Sequence, residues 1–143
     1  METEVVVVHA EKSPMEGIAN PGPHQIYKNP QVTVERRTLD KLDPDKIRVQ
    51  MLYAGICGTD VHLVERIPET GYIRSSAPAD IPGEGRVIGH EGIGRILEVG
   101  SNVRHLHAGA IVTFESIIVC HYCDVCRKDT KGRYIICRLW RDC

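Results

Sequence analysis

Residues 47–55, IRVQMLYAG, and residues 89–103, GHEGIGRILEVGSNV, are the two stretches that decide the fold class. Every second residue from Ile47 to Tyr53 is apolar, which places these residues on one face of a β-strand that leads into Gly55. The run from residue 87 to residue 99 is apolar but broken by three glycines, as in a curved or bulged strand. Short strands separated by Gly and Pro turns predict a mainly β fold, either a barrel or a sandwich-like unit.

The remaining segments fit this pattern. Val5–Val8 predicts a short apolar strand, and Val32 with Val34 predicts another. Residues 13–30 contain four of the eight prolines and are predicted to be a loop. Residues 58–72 predict one short helix that ends at a proline, and residues 110–119 are a further β-rich run.

Composition excludes several functional classes. The 143 residues are enough for one domain, and a net charge of −1 argues against nucleic-acid binding through bulk positive charge. No apolar run approaches the roughly 20 residues of a membrane helix, and the acidic start lacks the pattern of a secretory signal. We therefore expect a cytoplasmic protein without nucleic-acid or membrane partners, whose cysteines are reduced and are metal ligands or catalytic groups rather than disulfides, with no role assigned to Cys143.

Four cysteines near the end of the chain have metal-ligand spacing. Cys120, Cys123 and Cys126 are separated by two residues each, and Cys137 follows after ten more. Four thiolates at about 2.3 Å surround one zinc tetrahedrally, so the cluster predicts a structural zinc site. A redox pair is the competing interpretation, but two overlapping C-x-x-C units are not the thioredoxin pattern. A free-standing zinc knuckle would use residues 120–137 alone and leave the upstream motifs unexplained.

Cys57 and His90 are two further candidate ligands. Cys57 stands among small residues in AGICGTDVH, residues 54–62, and His90 stands in Gly-His-Glu-Gly. Taken singly, a cysteine is most often a small buried apolar residue and a histidine a satisfied polar one. Together with the downstream CHYCDVC cluster they form a three-motif pattern in a fixed order.

Through these motifs the chain resembles the N-terminal catalytic domain of the zinc-dependent medium-chain dehydrogenase/reductase family, the alcohol and polyol dehydrogenases. The resemblance runs from about residue 31 to about residue 126. The resemblance implies a GroES-like β-barrel with short helices and a zinc-binding loop lobe. Residues 1–143 would form that one domain, with residues 119–143 as the zinc lobe and a divergent basic tail, which we interpret as solvated. No G-x-G-x-x-G or GxxxxGK[ST] motif occurs, so we expect no Rossmann domain and no cofactor-binding residues in this chain.

The resemblance also implies residue roles. Cys57 and His90 would bind a catalytic zinc, with Glu91 as the carboxylate that ligates the metal or exchanges with substrate. Thr59 would take the proton of the bound alcohol, and His62 would extend that relay to solvent. Asp60 would not bind the metal itself but would stabilise the loop or the metal site. The structural zinc would be held by Cys120, Cys123, Cys126 and Cys137.

The implied reaction is oxidation of an alcohol, polyol or sugar hydroxyl by hydride transfer to NAD or NADP, with zinc as a Lewis acid. The partner would be a small-molecule alcohol or polyol, and the parent family is usually homo-oligomeric. Because the cofactor domain is absent from these 143 residues, we expect the isolated chain to be inactive. The alternative is a truncated or split-gene zinc-binding module that is non-catalytic or pairs with a cofactor-domain chain.

Two spacings depart from the family pattern. Ten residues rather than seven separate Cys126 from Cys137, so either Cys137 is a displaced fourth ligand or the sequence after Cys126 has diverged and the ligand is lost. The 32 residues between Cys57 and His90 are also more than is common, and the extra length falls in residues 68–86. That stretch predicts either a loop near a polyol-binding cleft or a surface insertion without function.

Overall fold

A computed structural model of the chain describes residues 1–76 and 79–116. Within them the backbone forms six β-strands, one α-helix and one 3-10 helix, so the predicted mainly β class is confirmed. The elements are β1 (Glu2–Lys12), the 3-10 helix (Pro23–Gln25), β2 (Tyr27–Thr38), β3 (Ile47–Gly55), α1 (Gly58–Val64), β4 (Arg86–Val87), β5 (Glu91–Val99) and β6 (Ile111–Thr113).

The strands make two antiparallel sheets. The first sheet has the order β2-β1-β4 and the second sheet has the order β3-β5-β6. In the described part of the chain these sheets are separate units rather than one closed ring of strands. The long strand pairs β1–β2 and β3–β5 form the main part of the two sheets.

The pairing of β1 with β2 corrects one sequence-based expectation. Residues 27–30 were predicted to be loop, yet β2 begins at Tyr27. The register shifts between His9 and Glu11, so that Asn29 and Pro30 together face one residue of β1 in a β-bulge. Asn29 adopts a φ of 51°, which asparagine tolerates better than most residues. Edge strands and bulges are the places where a sheet accepts proline, and β2 offers both.

The hydrophobic core lies between the first sheet, α1 and the segment after α1. Its buried members are drawn from all three: Val8, Tyr27, Leu63, Ile73 and Ile81. Burial of each such side chain contributes about 1.5–3 kcal/mol relative to exposure. Because Ile73 is 0% and Ile81 is 4% exposed, residues 68–86 do not lie wholly at the surface, and that part of the surface-insertion interpretation is wrong.

The helix predicted within residues 58–72 is α1, which ends at Val64, before Pro68. It stops there because the chain turns back, and Arg66 forms an isolated antiparallel bridge with Ile73. Of the described helices, none is long and apolar enough to cross a membrane. The β-rich run at 110–119 is β6 as far as Thr113, and its residues 117–119 lie outside the described residues.

Candidate metal centre

The pairing of β3 with β5 brings the two upstream motifs together. In this antiparallel pair the last residue of β3, Gly55, is opposite the first residue of β5, Glu91. Cys57 follows the end of β3 after one residue, Ile56, and His90 immediately precedes β5. Two ligand types that are far apart in sequence therefore meet at one end of the second sheet.

Three side chains converge at that end. Three donor atoms all lie within 4.8 Å of one another: the sulfur of Cys57, one imidazole nitrogen of His90 and one carboxylate oxygen of Glu91. Zinc binds sulfur, nitrogen and oxygen donors at about 2.0–2.3 Å, so donors grouped in this way fit the ion after small rotamer changes. Cys57 is half-buried while His90 and Glu91 are exposed, which leaves an approach open from solvent. Three protein ligands with an open position are typical of a catalytic rather than a structural zinc site.

Asp60 ties the two ligand-bearing segments to each other. Its side chain is 6% exposed, and its Oδ2 accepts a hydrogen bond from the backbone N–H of Cys57 at 3.0 Å. Its Oδ1 accepts a second bond from the N–H of Gly89 at 3.3 Å and lies 3.5 Å from Nδ1 of His90. A carboxylate that faces the second nitrogen of a ligand histidine fixes the ring orientation, which is a common arrangement behind metal ligands.

Thr59 belongs to the same cluster, whereas His62 has a different partner. Oγ1 of Thr59 lies 3.4 Å from Nε2 of His90. His62 is on the same helix but its Nδ1 lies 3.5 Å from Oε2 of Glu65, whose other oxygen pairs with Arg74 at 2.7 Å. His62 is 54% exposed, so it lies at the boundary between the cluster and solvent.

Gly55 is a site residue that the sequence reasoning missed. A Cβ atom at Gly55 would stand 3.0 Å from Oε2 and 3.2 Å from Cβ of Glu91, closer than nearly all such contacts. The absence of a side chain at position 55 therefore leaves room for the Glu91 carboxylate. The available signal was the glycine placed between the alternating strand and Cys57.

An apolar groove borders the centre. It has a volume of about 320 Å³ and lies between the two sheets, lined by Val6 and Val32 from the first sheet and by Ile56 and Val61 near the metal ligands. Asp60 forms part of its wall. The buried carboxylate thus separates an apolar surface from the polar cluster.

The second predicted zinc site, formed by Cys120, Cys123, Cys126 and Cys137, lies outside the described residues. Its ligand set stays a prediction from the sequence.

A comparison with family profiles gives a match over residues 43–141 to the alcohol dehydrogenase GroES-like domain. The chain belongs to this family. The matched region contains the whole candidate metal centre, and the resemblance to the N-terminal catalytic domain of the zinc-dependent medium-chain dehydrogenases is confirmed.

Curated relatives of this family member are dehydrogenases by name. A sorbitol dehydrogenase of Arabidopsis thaliana is 41% identical over 100 residues, which are 69% of this chain and 24% of the relative. An L-idonate 5-dehydrogenase of Vitis vinifera is 38% identical over 100 residues, 70% of this chain and 24% of the relative. The chain thus spans about a quarter of the length of the curated relatives that it matches.

A solved structure confirms the fold. A chain from Thermotoga maritima, with a provisional alcohol dehydrogenase name, superimposes with a TM-score of 0.67 at 25% identity. The match covers 87% of this chain and 35% of the other. The two-sheet arrangement described above is therefore the GroES-like arrangement of an alcohol dehydrogenase domain.

Proposed function

We propose that this chain is the catalytic-domain portion of a zinc-dependent oxidoreductase that oxidises a polyol or sugar alcohol by hydride transfer to NAD or NADP. The observation that carries the proposal is the grouping of Cys57, His90 and Glu91 donor atoms within 4.8 Å. The polyol class is favoured because the curated relatives are named for sorbitol and L-idonate.

In this proposal Cys57, His90 and Glu91 hold the zinc. A zinc bound there supplies Lewis-acid polarisation of the substrate oxygen. The chain contributes the geometry, because the β3–β5 pairing fixes the two ligand segments and Asp60 bonds to both. The exposed His90 and Glu91 leave the substrate a route from solvent.

Thr59 and His62 carry the proton. The Thr59 hydroxyl is adjacent to His90, where it can accept the proton of a substrate hydroxyl held at the centre while it releases its own proton toward His62. His62 lies further along the same helix, is half exposed, and contacts the Glu65 carboxylate. A proton passed from Thr59 to His62 would therefore reach solvent.

Several parts of the proposal concern what lies beyond the described residues. The nicotinamide cofactor would be bound by polypeptide outside these 143 residues, so the isolated chain should not turn over an alcohol with NAD or NADP. The four downstream cysteines would hold a structural zinc, and the whole protein would be a homo-oligomer in the cytoplasm, where thiols stay reduced.

The test is metal binding by the 143-residue chain, followed by 113Cd NMR with Cd²⁺ as a zinc substitute. The chemical shift separates a one-sulfur site from a four-sulfur site. We expect Cys57→Ser to abolish the one-sulfur signal and the matched variant Cys123→Ser to leave it unchanged. Identical spectra for wild type and Cys57→Ser would refute the proposed centre.

A further inference from the structure

Glu35 is the centre of a hydrogen-bonded cluster on the first sheet, away from the metal centre. Its carboxylate accepts bonds from Nε2 of His9 at 2.6 Å, from Oγ1 of Thr33 at 2.9 Å and from Nη2 of Arg37 at 3.1 Å. These donors, with His9 the largest contributor, lower the pKa of the Glu35 carboxyl from 4.5 to about 2. The carboxylate is therefore ionised near neutral pH and holds Arg37 in a fixed orientation.

Arg37 joins this cluster to the turn that precedes β4. The same nitrogen, Nη2, donates a 2.7 Å hydrogen bond to the backbone oxygen of Glu84. The next residue, Gly85, has a φ of +82° and lies flat against the first sheet. A Cβ atom there would stand 2.4 Å from Cγ1 of Val7 and 2.6 Å from Cε1 of His9. No side chain fits at position 85, so the turn rests directly on β1.

The space between the turn and the first sheet is only partly filled. Pro82 and Gly83 line an open, largely polar cavity of about 410 Å³, together with His9, Glu11 and other polar groups. Before the turn, Asp80 is held by the Tyr27 hydroxyl. Ile81 is buried in the core before the turn, and Arg86 after it donates to the Asp80 carbonyl. At the turn itself, the hydrogen bond from Arg37 to Glu84 and the contact of Gly85 with Val7 and His9 hold the chain against the sheet.

The strand after the turn is too short to fix its own register. β4 has two residues, with Val7 opposite Val87 and Val8 opposite Arg86, and one further backbone bond runs from the Ile88 N–H to the Val6 carbonyl at 3.1 Å. A slip by one residue would reverse the faces of β4 and shift the chain by about 3.3 Å. His90 follows β4 closely, so such a shift is large for a cluster whose donor atoms all lie within 4.8 Å of one another.

We propose that Arg37, held by Glu35, is a positioning residue that locks the register of β4 and so places His90 beside Cys57. The lock acts through the backbone, because Arg37 binds the carbonyl oxygen of Glu84 rather than any metal ligand. The role of Arg37 in function rests on the proposed metal centre. Its effect on the position of β4 can be measured without metal.

The test compares Arg37→Gln with Arg36→Gln. Arg36 is the matched control because it lies on the same strand and pairs with Glu4 across to β1 at 3.5 Å, instead of with the turn. The first measurement is amide hydrogen exchange at Gly89, whose N–H donates to Asp60. We expect exchange at Gly89 to be about tenfold faster in Arg37→Gln and unchanged in Arg36→Gln.

The amide of Ile96 is the internal reference, because its N–H is bonded to the Ala110 carbonyl in the second sheet. A general loss of stability would speed exchange at Gly89 and Ile96 alike, whereas loss of the lock speeds only Gly89. The second measurement is the affinity of the one-sulfur Cd²⁺ site, which should fall about tenfold in Arg37→Gln and stay unchanged in Arg36→Gln.

Equal exchange rates in the two variants, or an equal rise at Gly89 and Ile96, would overturn the register lock. If Arg37→Gln does not fold, Glu35→Gln and Glu4→Gln are compared in the same way, and equal rates again overturn it. If the wild-type chain shows no one-sulfur Cd²⁺ signal, the proposed function fails while the exchange comparison still decides the lock.

Discussion

The first and second sheets use their apolar residues in different ways. Val7 and Val8 of the first sheet are fully buried, whereas Met51 and Tyr53 of the second sheet are 50% and 76% exposed. Of the described residues in the second sheet, Ile96 is the one large apolar side chain in the buried class. The first sheet therefore carries the core, and the second sheet carries the candidate metal ligands at its end.

The difference shows that one part of this domain forms the stabilising core and another part positions the candidate ligands. The helix α1 contacts both parts. α1 buries Leu63 in the core beside the first sheet. Its first turn carries Asp60, which bonds to the ligand segments of the second sheet. Substitutions in the buried core beside the first sheet and substitutions at the end of the second sheet should therefore have separable effects.

The largest expected effect is on the stability of the core. Ile73→Ala removes a fully buried side chain that packs against Val8 and Tyr27, and we expect the free energy of unfolding to fall by about 2–5 kcal/mol. Ile93→Ala, at a 44% exposed position in the second sheet, should cost less than about 1 kcal/mol. Urea denaturation of both variants measures the contrast. Equal losses would mean that the second sheet is as important to the core as the first.

The next effect concerns the link between the sheets. Asp60→Asn replaces a carboxylate that accepts bonds at both oxygens with a group that has one acceptor oxygen. We expect metal affinity at Cys57, measured by chelator competition, to fall about 10–100-fold. The control Asp45→Asn changes an exposed carboxylate that pairs with Asn102 far from the ligands, and it should leave the affinity unchanged. An unchanged affinity in Asp60→Asn would show that the helix does not hold the centre.

A smaller effect is expected from crowding within the second sheet. Gly55→Ala puts a methyl group 3.0 Å from the Glu91 carboxylate, so Glu91 has to shift by a few tenths of an ångström. Metal affinity should fall by less than about tenfold. This loss is below the roughly 10–100-fold loss that follows when a group hydrogen-bonded to a metal ligand is removed. Gly58→Ala is the matched control, because no atom lies within 4 Å of its added methyl group. Equal affinity in both variants would remove Gly55 from the site.

The smallest effect is a pH dependence on the surface of the first sheet. The pKa of Glu35 is about 2 in the folded chain against 4.5 in its ordinary state, so its stabilising contribution is present above pH 4.5. That contribution is lost as the pH falls from 4.5 through about 2. We expect Glu35→Gln to flatten the fall of unfolding free energy over this range, as measured by urea titrations at a series of pH values. Parallel curves for wild type and variant would contradict the cause assigned to the shift.

The fold of the second sheet was the more predictable one. The alternation from Ile47 to Tyr53 predicted a strand leading into Gly55, which is β3, and the glycine-broken run after residue 87 contains β5. The motifs around Cys57 and His90 predicted a shared site, and the structure brings those side chains together. Their roles as zinc ligands stay predictions.

The first sheet was harder to predict because tertiary context overrides local signals there. Pro30 and Asn29 are turn residues by type, but a bulge on an edge strand accommodates both, so β2 extends into the predicted loop. Polar residues dominate both ends of β1, and only pairing with β2 stabilises them in extended form. Likewise, burial of Ile73 and Ile81 depends on contacts with distant strands that no local pattern encodes.

The pairing of Gly55 with Glu91 also bears on how the domain folds. This contact closes a long loop. Loop closure costs conformational entropy before the contact contributes any stabilising free energy. A chain in which β3 and β5 have not yet met holds its donors too far apart to share one ion. Metal uptake at Cys57 should therefore follow formation of this strand pair in time, and the rate of uptake by refolding chains would report how fast the pair forms.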